Sequence, residues 1–118
     1  MARILIADDD AHIARVLSMW LERHGHRVTI VTNGDAALKS LEREPVDLVI
    51  TDMNMPVLDG LGLVRAVRTR LHSDVPILVL TARCDQETLI HEMDKFSAKV
   101  YPKPFLPSQL VVEINQLL

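Results

Sequence analysis

Cysteine is nearly missing from this sequence: Cys84 is the single one among 118 residues. That excludes an internal disulfide framework and fits a reducing compartment. Long apolar runs are missing too. None approaches the roughly 18 residues of a membrane-spanning helix. The opening stretch MARILIADDD puts acids directly after a short apolar run, which is not the shape of a secretory signal. Nor is there an excess of positive charge. With 13 Lys and Arg against 16 Asp and Glu, the net charge is −3, so nothing suggests an electrostatic nucleic-acid binder. No repeat, low-complexity stretch or linker is present. What is present is 48% apolar and 25% charged, as in ordinary globular proteins. A cytoplasmic soluble protein is expected, with residues 1–118 forming a single domain.

Strand and helix patterns alternate along the chain. RILIA (3–7) is a short apolar run ending in acids. From Ala11 to His24, Ile13, Val16, Leu17, Trp20 and Leu21 recur at helical spacing, and Gly25 closes that helix. RVTIV (27–31) reads as a strand and TNG (32–34) as a turn. A helix over Ala36–Glu44 is stopped by Pro45, and DLVIT (47–51) is a strand. MPVLDG (55–60) is a loop before a helix over Leu61–Arg70. PILVLT (76–81) is a strand, followed by a helix over Gln86–Lys95. AKVY (98–101) is a short strand, and Pro107–Leu118 is a helix. Five βα units predict an α/β fold with a parallel sheet covered on both faces. The runs at 3–7, 47–51 and 76–81 are almost wholly apolar, as buried central strands should be. Arg27, Thr29 and Lys99 mark the other two as edges. That distribution fits the doubly wound, flavodoxin-like order 2-1-3-4-5.

In such a sheet, ligands bind beyond the carboxyl ends of the strands at the switch point between the first and third. Asp8-Asp9-Asp10 follow the first strand, Asp52 follows the third, Thr81 ends the fourth, and the fifth leads into Lys103. Three acids, a hydroxyl and a lysine are thus expected on one rim. Asp10 is expected to cap the first helix instead. Carboxylates about 4 Å apart repel by about 4 kcal/mol per pair at an effective dielectric of 20. Something must compensate. An oxygen-only ligand set points to a hard cation, and Mg²⁺ needs fewer protein oxygens than Ca²⁺. A loop carbonyl at Asn54 could add one. With the acids neutralised, Asp52 can act as a nucleophile towards phosphorus. Thr81 and Lys103 can then hold the phosphoryl oxygens. Lys103 stands between Pro102 and Pro104, which restrict its backbone, and the Lys103–Pro104 bond is open to the cis form.

The segments ILIADDD, DLVITDMNMPVLDG, ILVLTAR and KPF stand in order at four strand ends. In these, and over nearly its whole length, the chain resembles the receiver domain of two-component response regulators, of the chemotaxis-receiver type. The resemblance implies that Asp52 accepts a phosphoryl group from a histidine kinase or phosphotransfer protein. It implies Mg²⁺ bound by Asp9 directly, by Asp8 mainly through water, by Asp52, and by the backbone carbonyl of Asn54. Thr81 would bond the phosphoryl group and Lys103 pair with it. The output would be a change in the surface of the fourth helix, fifth strand and fifth helix. It would reach an effector protein or fused output domain, with a phosphorylation-dependent dimer as one form. No direct nucleic-acid binding, membrane contact or enzymatic turnover of a separate substrate is expected. Two positions depart from the family. Val100 stands three places before the lysine, where an aromatic residue is usual, with Tyr101 one place later. Phe96-Ser97 stand where many receivers have Gly-Ala. Strand alternation predicts that Tyr101 does not substitute for the missing aromatic.

Two other functions compete. The first and third acids of Asp8-Asp9-Asp10 mimic the Asp-x-Asp of haloacid-dehalogenase-like phosphatases, but that reading leaves Asp52 and Lys103 unexplained. A receiver-like scaffold that binds partners without phosphorylation is kept open by Val100 and Phe96. The last helix is expected of either a stand-alone receiver or one cut from a longer regulator. His24 and His26 are read as a solvated helix end, Cys84 as a bystander thiol and Trp20 as core.

Overall fold

Burying a valine, leucine or isoleucine side chain contributes about 1.5–3 kcal/mol, so strands apolar on both faces need cover on both. The computed structural model, which describes residues 1–82 and 86–118, provides it. The elements alternate as β1 (Arg3–Ala7), α1 (Ala11–Arg23), β2 (Arg27–Val31), α2 (Gly34–Arg43), β3 (Leu48–Asp52), α3 (Gly60–Thr69), β4 (Ile77–Thr81), α4 (Glu87–Lys95), β5 (Ala98–Pro102) and α5 (Pro107–Leu117). All pairings are parallel and the order is β2-β1-β3-β4-β5, as the distribution of apolar and polar strands predicts.

The boundaries differ from the sequence-based expectation by a residue or two, for local reasons. Asn33 caps α2 by accepting from the Ala36 backbone N–H at 2.8 Å, so the helix opens at Gly34 inside the expected turn. Asp47 turns its carboxylate onto the Arg3 N–H, and β3 starts at Leu48 and runs through Asp52. Asp10 caps α1 as expected, accepting from His12 N at 3.0 Å and Ile13 N at 3.2 Å. Gly25 closes the same helix at φ +85.

Two apolar layers flank the sheet. Leu5, Ala7, Val49, Ile77 and Val79 face α2, α3 and α4, where Leu38, Leu63, Val67 and Met93 meet them. Ile4, Ile6, Leu48, Ile50, Leu78 and Leu80 face α1 and α5, against Leu17, Leu21, Leu110 and Ile114. Trp20 is half-buried against this second layer rather than enclosed in it. Among the described residues no helix is long and apolar enough to cross a membrane.

Candidate functional site

Register puts the chemistry at one level. Ala7 pairs with Thr51, and Thr51 with Val79. The next step along the strands brings Asp8, Asp52 and Leu80 level, and one step more brings Thr81 opposite Pro102. Side chains alternate along a strand. Asp52 therefore continues the Leu48–Ile50 face towards α1 and α5, and Asp8 continues the Ile4–Ile6 face in the same direction. Thr81 continues the opposite face, that of Ile77 and Val79.

The three sequence-predicted acids do converge. Asp8, Asp9 and Asp52 each bring a carboxylate oxygen within 4.8 Å of the others, with Asp8 and Asp52 buried and Asp9 exposed. Lys103 reaches this group from β5. Its Nζ lies 2.6 Å from Asp52 Oδ1, where it donates a charge-assisted hydrogen bond, and 3.9 Å from Asp8 Oδ2. The Lys103 backbone N–H donates to the Thr81 carbonyl at 3.0 Å, which fixes the lysine to the end of β4. The Lys103–Pro104 bond is cis. Thr81 is buried at the end of β4, and Asn54 is exposed in the β3–α3 loop two residues beyond Asp52.

The electrostatics are those of a site short of positive charge. Burial is the main cause that raises the pKa of Asp8 above its ordinary value of 3.8. The Asp10 N–H, 2.9 Å from Asp8 Oδ1, opposes that rise; the Asp52 charge adds to it, and Lys103 opposes it less strongly. One lysine facing three carboxylates, two of them buried, leaves the site short of positive charge. The donors are all oxygens, a set that favours a hard divalent cation over zinc or copper.

Two supporting groups escaped the sequence reading. Thr51 donates its hydroxyl to the Asp52 carbonyl at 2.9 Å. Gly60, the first residue of α3, lies so close to β3 that an added Cβ would meet the Asp52 carbonyl oxygen at 2.6 Å and Met53 Cα at 2.9 Å. Its N–H donates to the Met53 carbonyl at 2.8 Å. The signal for Gly60 is visible afterwards as Asp59-Gly60 at a capped helix start, since Asp59 accepts from Gly62 N. Nothing in the sequence marks Thr51. Cys84 lies outside the described residues. His24 is exposed and its Nδ1 pairs with the Trp20 carbonyl, while half-buried His26 accepts from Ala2 N.

The two departures are also placed. Val100 is half-buried against the layer of α2, α3 and α4, whereas Tyr101 packs with Phe105 against the layer of α1 and α5. Tyr101 therefore stands on the wrong face of the sheet to replace an aromatic at position 100. Ser97 adopts φ +57 directly after Phe96, the C-cap of α4.

The sequence profile described as "Response regulator receiver domain" matches residues 4–115. Among curated relatives, the transcriptional regulatory protein PrrA of Mycobacterium tuberculosis is 34% identical over 116 residues, which cover 98% of this chain and 49% of PrrA. The chain thus spans about half the length of the curated relatives it matches. Among solved structures, the chemotaxis response regulator CheY4 of Vibrio cholerae superposes with a TM-score of 0.91 at 32% identity, covering 100% of this chain and 99% of that one. The receiver domain of the Francisella response regulator 1452 gives a TM-score of 0.91 at 29% identity, over 99% of this chain and 96% of that one. Profile, relatives and fold agree, and the chain belongs to the family of response regulator receiver domains.

Proposed function

We propose that this domain is a Mg²⁺-dependent phosphoacceptor that takes a phosphoryl group onto Asp52 from a histidine kinase or phosphotransfer protein. The observation that carries the reading is the 2.6 Å contact between Lys103 Nζ and Asp52 Oδ1, on a rim shared with Asp8 and Asp9. Asp52 attacks phosphorus through a carboxylate oxygen. The new O–P bond forms as the N–P bond of the donor phosphohistidine breaks, and the imidazole leaves with the electron pair. Lys103 then pairs with the phosphoryl oxygens in place of the free carboxylate, and the Thr81 hydroxyl bonds them from the other side of the sheet. Asp8, Asp9, Asp52 and the Asn54 carbonyl would hold the Mg²⁺, which when bound offsets the negative charge of acids and phosphoryl group together. The transfer is signalling chemistry, with no separate substrate turned over.

An apolar groove of about 420 Å³ adjoins Lys103, lined by Ile13 and Val16 of α1, by Phe105 ahead of α5 and by Pro107 at its start. It supports docking of the phosphodonor beside the acids. Output to an effector protein or output domain is carried by α4, β5 and α5. A phosphorylation-independent scaffold is the second reading, favoured by half-buried Val100.

Intact-mass spectrometry after incubation with acetyl phosphate tests the first reading. One phosphoryl group is expected on the wild type with Mg²⁺, and none in EDTA or on Asp52→Asn. No adduct under any condition would transfer the weight to the scaffold.

A further inference from the structure

Among the described residues the acid rim leaves a half-buried cation unexplained. Arg68 lies on α3 near the opposite end of the sheet, and its guanidinium donates to four backbone carbonyls. Nε reaches Phe96 O at 2.7 Å, Nη1 reaches Ser73 O at 2.8 Å and Val75 O at 2.7 Å, and Nη2 reaches Ser97 O at 3.3 Å. Those carbonyls belong to two connections, one leading from α3 into β4 and the other from α4 into β5. Phe96 is the C-cap of α4, so the arginine sets a positive charge against the negative end of that helix. Ser97 is held in a left-handed conformation that a residue other than glycine keeps only when its surroundings impose it. Burial lowers the Arg68 pKa and Asp74 opposes the change, yet a guanidinium remains charged throughout the ordinary pH range.

The other end of α4 is held differently. Gln86 occupies its N-cap without a side-chain capping bond. Leu89 is the buried side chain of that half, and Ile90 beside it is exposed. This end, without a side-chain cap, adjoins the rim where β4 finishes in Thr81. The Arg65–Glu92 pair, at 3.3 Å, also ties α3 to α4, but it lies at the surface and contributes little.

We infer that Arg68 is a positioning residue for the output surface: it fixes the C-terminal end of α4 to α3, so that α4 reorients about that end on phosphorylation. This rests on the reading of Asp52 as phosphoacceptor. Val100 gives the inference its weight. Without an aromatic side chain at that position, α4 is the element that joins the rim to the output surface, and Arg68 decides which end of it moves.

The test is amide NMR on the whole chain, wild type and Arg68→Lys, before and after addition of beryllium fluoride with Mg²⁺ as a phosphoryl mimic. In the wild type, shift changes should be largest over residues 87–90 and fall away over 93–97. In Arg68→Lys they should spread to 93–97, a change that a purely structural role would not produce. Without the mimic, hydrogen exchange at Phe96 and Ser97 should be faster in the variant by on the order of tenfold. Uniform shift changes along α4 in the wild type, or unchanged exchange in Arg68→Lys, would overturn the inference. The wild-type gradient stands as a test even if the variant does not fold. No phosphoryl adduct on wild-type Asp52 by mass spectrometry would instead sink the phosphoacceptor reading and the reorientation with it. An adduct without a gradient would sink this inference alone.

Discussion

Asp8 stands in an environment that ill suits its charge. It is buried beside Asp52, and its folded pKa is raised, chiefly by burial. A carboxyl group with a raised folded pKa contributes stability while it is protonated, and that contribution is lost as pH rises through the folded value. In EDTA, Asp8→Asn should therefore unfold at a higher temperature than the wild type at pH 7. The two curves should converge as pH falls through the raised value towards 3.8. Thermal melts from pH 3 to pH 8 would read the crossing, and a variant less stable at pH 7 would contradict it. Val57 is a second residue at odds with its place. It is exposed, and its φ of +70 spans a turn in which Leu58 N donates to Pro56 O at 2.8 Å. A β-branched residue is strained there. Val57→Gly should stabilise the fold by about 1 kcal/mol, relief of strain outweighing glycine's entropy. Urea unfolding would measure it. A loss of stability would show that the turn is not strained.

At the scale of elements, the junction of β3 with α3 supports the site. Asp52 ends the strand, and Gly60 lets the helix start against its carbonyl. An added methyl at 2.6 Å from that oxygen has no soft neighbour to displace, because the atoms it meets are backbone. Gly60→Ala should cost about 2–3 kcal/mol, in the range of overpacked cores. It should also slow phosphoryl transfer to Asp52, since β3 and α3 must part. Chemical denaturation and the initial rate with acetyl phosphate would check the two effects separately. The helices themselves are legible in sequence to within a residue or two, because caps at Asp10, Asn33 and Asp59 fall where short polar residues precede apolar periodicity. The β3 boundary is the informative miss. Asp52 reads as a residue after the strand, yet it pairs with Leu80 inside the sheet. The sheet thereby buries an acid that composition would place in water.

For the molecule as a whole, the proposed cation would couple to stability through the acid rim. A ligand that binds only the folded state stabilises it by RT ln(1 + [L]/Kd), about 2.7 kcal/mol at a hundredfold excess over Kd. Millimolar Mg²⁺ should raise the melting temperature of the wild type, and EDTA should reverse the shift. Asp9→Ala should show little response. Equal responses from the wild type and Asp9→Ala would remove the cation from these acids. Calorimetry with and without EDTA would give the comparison. Sodium at matched ionic strength would control for screening of the net charge of −3.

Strand order, the five helices with the Asp10 cap, and the convergence of Asp8, Asp9, Asp52 and Lys103 were legible in the order of residues alone. Hydrophobic period and strand-end position are local patterns, and a parallel sheet carries them to one rim with little freedom. Residue order determined also that Tyr101 faces away from Val100, because alternation along a strand has a period of two. It left open the local bond from the Thr51 hydroxyl to the Asp52 carbonyl, and it took tertiary packing to bring Gly60 against that carbonyl and Arg68 onto carbonyls of two separate connections. Gly60 meets the end of β3 across a loop, and the Arg68 side chain reaches backbone carbonyls as far as 29 residues along the chain. A backbone carbonyl has the same formula at every position, so no residue letter announces which one an arginine will find.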